Sequence, residues 1–118
     1  MSAETQVDHS TCSATGCCML GTATRSPGPE CSWYCFIHVA ARPDEVRHIT
    51  DELNRLRWIV DIVRTLRAGQ PLTDIMQQNF ALAQRSDLKQ SEREDRAAWM
   101  IRLEGVLAQS CRDSLVQP

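Results

Sequence analysis

From residue 43 onward the apolar positions recur at helical spacing. Val46, Ile49, Leu53, Leu56, Val60 and Val63 alternate steps of three and four, an a/d seam. Ile59, Ile62 and Leu66 widen the apolar face toward its C-terminal half. The pattern predicts a first helix over residues 43–68. Pro43 suits the first helical position, Asp44 and Glu45 complement the positive end, and Gly69 with Pro71 stops it. Such a seam requires a partner: other helices of the same chain come first, and a homodimer coiled through this helix second. A second helix is predicted over residues 72–85, with Leu72, Met76, Phe80 and Ala83 on one side and Ile75, Asn79 and Leu82 beside them. A third, over residues 91–114, opens with a capping-box signature from Ser91 to Glu94, with Ser86-Asp87 as an earlier alternative start. It carries a stripe of Trp99, Met100, Leu103, Val106, Leu107 and Cys111, which makes Cys111 a small buried apolar residue.

Before residue 43 the periodicity disappears. Residues 1–11 are polar and read as a disordered leader. Residues 12–42 hold five cysteines together with Gly16, Gly21, Pro27, Gly28 and Pro29, a composition of loops and short strands that cannot bury a core unaided. The expected architecture is mostly α: a small N-terminal zinc-finger-like module over residues 12–42, then a helical domain over 43–118 folded as a helical hairpin or three-helix bundle.

Charge narrows the partners. Thirteen basic residues, twelve of them Arg, face fifteen acidic ones, a formal net charge of -2, so no global attraction to nucleic acid or anionic membrane is expected. No apolar run is long enough to cross a bilayer and the first residues lack a secretory signal, so a cytoplasmic protein is expected. In a reducing compartment, five cysteines crowded between Cys12 and Cys35 point to metal, not disulfides.

The chemistry lies in CSATGCCMLGTATRSPGPECSWYCFIH, residues 12–38. Structural zinc is held tetrahedrally by thiolates and imidazoles supplied from two short arms. Cys12 and Cys17 form a C-x4-C arm, with Cys18 as a substitute for Cys17 and Gly16 permitting the tight turn. Cys35-x2-His38 forms the second, and the intervening Pro/Gly loop returns the chain to the ion. The competing arm is Cys31-x3-Cys35, which would leave His38 outside the first shell. A His-containing iron–sulfur site ranks below zinc.

Taken together, Cys-x4-Cys, Gly21-Thr22, and Gly28-x4-Trp33-x-Cys35-x2-His38 resemble small zinc-binding proteins encoded by bacteriophages and prophages, in which a short Cys/His module precedes helical sequence. The likeness covers about a third of the chain. It implies Cys12, Cys17, Cys35 and His38 as the ligand set, with the aromatic two residues before the third ligand matched by Trp33. Cys18 and Cys31 depart from the family's pattern. The resemblance implies a bacterial cytoplasm and a phage setting, and carries no defined activity.

Among function classes an enzyme has the least support: there is no phosphate-cradling loop, no metallohydrolase helix motif and no nucleophile with a base. Four protein ligands also close a zinc site to an activated water. Nucleic-acid binding is the alternative, with Trp33, Tyr34 and Phe36 as stacking groups. Against it, residues 1–42 hold only Arg25 and Arg42 opposite Glu4, Asp8 and Glu30. The expectation that fits best is a zinc-stabilised adaptor or inhibitor that docks on a protein partner, with Trp33, Tyr34, Phe36 and Trp58 as contact residues.

Overall fold

The computed structural model describes residues 11–14, 16–24 and 34–116. The fold is mostly helical. Among the described residues four α-helices follow in order: α1 (Val46–Arg55), α2 (Arg57–Arg67), α3 (Asp74–Leu82) and α4 (Arg96–Val116). Short 3₁₀ turns occupy His38–Ala40 and Ser86–Leu88, and an antiparallel bridge joins Ala23 to Tyr34. The described residues up to Arg55, with those from Ser110 onward, form one compact unit; Leu56–Gln109 form a second.

The long first helix expected over residues 43–68 is two helices. Pro43, Asp44 and Glu45 form a turn, and the Glu45 carboxylate accepts the Arg42 backbone N–H at 3.0 Å before α1 begins. Leu56 then leaves the helical region at φ -100° and ψ 29°, and its carbonyl accepts both Ile59 and Val60 N–H groups as α2 starts. No Gly or Pro marks the break, and the heptad pattern runs through it unaltered. It falls at the boundary between the units.

In the first unit, Ile49, Thr50 and Leu53 of α1 are buried, as are Cys12, Cys17, Cys18, Met19, Cys35 and Cys111. In the second, Ile59, Val60, Ile62, Val63, Phe80, Leu88, Trp99, Leu103 and Leu107 make the core. Phe80 receives Trp58 edge-on, with centroids 5.5 Å apart at 85°, and lies 6.0 Å from the Trp99 ring. The Trp99 indole N–H reaches the Leu88 carbonyl at 2.8 Å, so a large apolar ring is buried without orphaning its donor.

Two helices end in the same way. Gly69 takes φ 71°, its N–H bonds to the Leu66 carbonyl and the Gln70 N–H to the Thr65 carbonyl, a Schellman cap on α2. Gln84 takes φ 57° and does the same for α3, with Gln84 N–H to Ala81 and Arg85 N–H to Phe80. α3 therefore stops at Leu82, earlier than the expected residue 85. Its start is capped by the Thr73 hydroxyl, which accepts the Met76 N–H at 3.1 Å.

α4 begins at Arg96, after the expected capping box. The Glu94 carboxylate does accept the Ser91 N–H at 3.1 Å, but Arg102 also grips it, at 2.8 and 2.9 Å. The same guanidinium donates to the Asp87 and Lys89 carbonyls, which fastens the connection across the helix flank. Asp95 becomes the cap, its carboxylate taking the Ala98 N–H at 2.8 Å.

Candidate metal centre

Three short pieces of chain converge on one point. At the first, Gly16 at φ 79° and a Cys17 N–H to Ala14 carbonyl bond of 3.1 Å form a tight turn, while the Cys12 N–H bonds to the Met19 carbonyl at 2.8 Å. Gly16 is required for its backbone angle more than for space, since an added Cβ would only touch the Thr50 methyl at 3.6 Å. At the second, the Ala23–Tyr34 bridge returns the chain, with reciprocal backbone bonds of 2.9 and 2.7 Å. At the third, a turn after Cys35 brings His38 inward, its backbone N–H 3.3 Å from the Cys35 sulfur.

The result is a group of four donor atoms, from Cys12, Cys17, Cys35 and His38, all buried and all within 4.8 Å of one another. This group can hold a metal ion. Backbone amides already point at the sulfurs: Ala14 N–H to Cys12 at 3.5 Å, Met19 N–H to Cys17 at 3.4 Å, and His38 N–H to Cys35. Amide donors of this kind stabilise negative charge on sulfur.

The imidazole is aimed from behind. His38 Nε2 lies 3.1 Å from the Val46 carbonyl oxygen and 3.1 Å from the Thr50 hydroxyl. A carbonyl only accepts, so Nε2 carries the hydrogen, and in the neutral ring Nδ1 is left with its lone pair directed at the cluster. Nδ1 lies 3.5 Å from the Cys12 sulfur and 3.3 Å from the Cys35 sulfur. Thr50 and the Val46 carbonyl sit one turn apart on α1, a positioning role with no spacing signal in the sequence. His48, by contrast, is exposed on the same helix.

The ionisable groups of the cluster are strongly coupled to one another. Hydrogen bonds from Cys17 and then Cys35 pull the Cys12 thiol far below its ordinary value, and contacts with Cys12 and Cys35, joined by burial, push Cys17 far above its own. Burial alone would depress His38, but its bonds to Cys12 and Cys35 outweigh that and raise it to about 10. Negative charge cannot accumulate on sulfurs this close unless a cation neutralises it, which is what a divalent metal supplies.

The remaining cysteines stand apart. Cys18, the alternate to Cys17, turns its thiol to the Leu53 carbonyl at 3.7 Å and anchors the knuckle to α1, helped by the Asn54 amide on the Gly16 carbonyl at 3.1 Å. Cys111 is buried, and burial followed by the nearby Glu52 and Cys35 pushes its thiol up to about 12, beyond ready ionisation. Cys31 and Trp33 lie outside the described residues. Of the expected contact residues, Tyr34, Phe36 and Trp58 are each half-buried. Sequence periodicity set Ile75 and Leu82 beside an apolar face, but both are exposed, at 71% and 77%.

A comparison with protein-family models, curated proteins and solved structures found no match. The likeness to phage-encoded modules therefore rests on the motif spacing alone. Among the described residues, no helix is long and apolar enough to cross a membrane.

Proposed function

We propose that Cys12, Cys17, Cys35 and His38 hold a structural zinc ion, and that the protein is a zinc-stabilised adaptor or inhibitor docking on a protein partner. The observation that carries the first half is the donor spacing. Zinc–sulfur bonds of about 2.3 Å and zinc–nitrogen bonds of about 2.0–2.1 Å at tetrahedral angles separate sulfur from nitrogen by about 3.6 Å. The two sulfur-to-Nδ1 distances of 3.5 and 3.3 Å match. A set of three thiolates and one imidazole is also the chemistry zinc selects. All four donors come from the protein and are buried, which suits a structural ion and leaves no position for substrate.

The docking half of the proposal draws on the exposed Ile75 and Leu82, seven residues apart and so one above the other along α3. Large apolar side chains so presented are the usual anchors of protein–protein contact. Tyr34, Phe36 and Trp58, each half-buried, are further aromatic candidates for contact, and Trp33 lies outside the described residues. The motif's likeness to phage proteins suggests a bacterial host's cytoplasm, with a nucleic-acid machine or defence complex as the partner.

Metal analysis of protein purified under reducing conditions should find near-stoichiometric zinc, retained in Cys18→Ala and lost in Cys35→Ser. A folded, metal-free protein overturns the zinc assignment. Affinity capture from bacterial lysate should retain a partner after nuclease treatment; loss of every partner on that treatment would favour the nucleic-acid reading instead.

A further inference from the structure

The second unit carries a cleft of about 460 Å³ that plays no part in the metal centre. Ligand-binding clefts run about 300–1,000 Å³, so this one accommodates a small molecule. One wall is apolar: Leu72, with the Phe80 and Trp99 rings tilted at 32° to each other. Because the Trp99 N–H is committed to the Leu88 carbonyl, its ring offers carbon surface only.

The rim is cationic. Lys89, the chain's sole lysine, and Arg96 both line the cleft, together with Gln77, and no carboxylate lines it. This contrasts with four other arginines of the unit, Arg57, Arg67, Arg85 and Arg102, which are paired to Asp61, Glu104, Asp87 and Glu94. Arg96 instead donates to the Gln70 carbonyl at 2.7 Å, which holds the guanidinium in place without neutralising it and leaves it further donors. Two cations beside one apolar wall, in a chain whose net charge is -2, form a local field that an anion would satisfy.

We infer that this cleft binds a small organic carboxylate with a planar apolar body. The carboxylate takes Arg96 and Lys89, the forked guanidinium matching its two oxygens. The Gln77 amide supplies a neutral donor, and the body lies against Leu72, Phe80 and Trp99. The inference is independent of the zinc proposal, since none of these residues belongs to the metal-bearing unit.

Titration of the isotopically labelled full-length protein with benzoate, and separately with its neutral isostere benzamide, tests it. The Trp99 indole N–H is the reporter. Benzoate should shift that resonance saturably, with benzamide at least tenfold weaker. Lys89→Gln and Arg96→Gln should each weaken benzoate threefold or more, whereas Arg93→Gln, at an exposed position that does not line the cleft, should not. Dispersed spectra of the variants establish that each is folded. Equal binding of benzoate and benzamide, unchanged affinity in both cleft variants, or no saturable shift overturns the inference.

Discussion

Around Cys12, Cys17, Cys35 and His38 the first unit buries thiols and one imidazole beside Met19, Ile49 and Leu53, and among the described residues its non-helical part is closed by a few backbone bonds and one bridge. Residues Leu56–Gln109 bury Ile, Val, Leu, Phe and Trp side chains on three helices, with every wide ring in contact with another. The first gathers ionisable groups that a cation could neutralise; the second needs only to exclude water. A module of some thirty residues has too little apolar surface to repay the conformational entropy of ordering its chain. The proposed zinc ion would take over that role, and a helical segment with a continuous seam has no such requirement.

The most severe way to break this contrast is at a ligand. Structural zinc contributes about 10–16 kcal/mol of apparent binding free energy in small finger peptides at neutral pH, so Cys35→Ser should abolish zinc retention and local order. Native-state hydrogen exchange should show protection lost at Ile49 and Leu53 but kept at Val63 and Leu103. Equal loss in both units would show that they are not separately stabilised. The complementary cut is Phe80→Ala, which should destabilise the second unit by about 3–5 kcal/mol. Zinc stoichiometry, measured in the same protein, should stay unchanged.

Acid offers a third comparison. Arg102, and then the Ser91 N–H, hold the Glu94 carboxyl below its ordinary value of 4.5. The folded state thus binds its proton more weakly than the unfolded chain, and the resulting stability is present above about pH 4.5 and lost as pH falls through the depressed value. The urea midpoint of the second unit should decline in that window, and Glu94→Gln should flatten the decline. An identical slope in the variant would assign the pH dependence elsewhere. The smallest effect concerns the two Schellman caps. Gly69→Ala should cost about 1 kcal/mol for placing a side chain at positive φ, and Gln84→Gly should stabilise by about 0.5–1 kcal/mol for relieving one. Thermal melts of the two single variants, shifting in opposite directions, are the check.

Much of this molecule is legible without coordinates because local chemistry is enough. The a/d seam announces helices, Gly69 announces an end, and two Cys/His arms flanking a Pro/Gly loop announce a metal group, since ligand type and short-range spacing are themselves the requirement of coordination. Cys111 reads as buried for the same kind of reason, its place in the stripe after Leu107.

Other features were settled only by packing. The break at Leu56 has no local signal, because nothing in a heptad pattern says where one compact unit ends and another begins. The start of α4 lies at Arg96 and not Ser91: Glu94 keeps its carboxylate bond to the Ser91 N–H, but the Glu94 N–H goes to the Ser91 carbonyl in a turn, Arg102 ties that turn down from eight residues beyond, and Asp95 caps the helix. Cys17 and Cys18 are adjacent and chemically identical, and only the fold turns one to the cluster and the other to the Leu53 carbonyl. Sequence by itself determined which residue types gather at the metal centre. Tertiary structure decided which nitrogen of His38 faces it, because that choice depends on the Val46 carbonyl and the Thr50 hydroxyl that α1, the next helix along the chain, brings to its back.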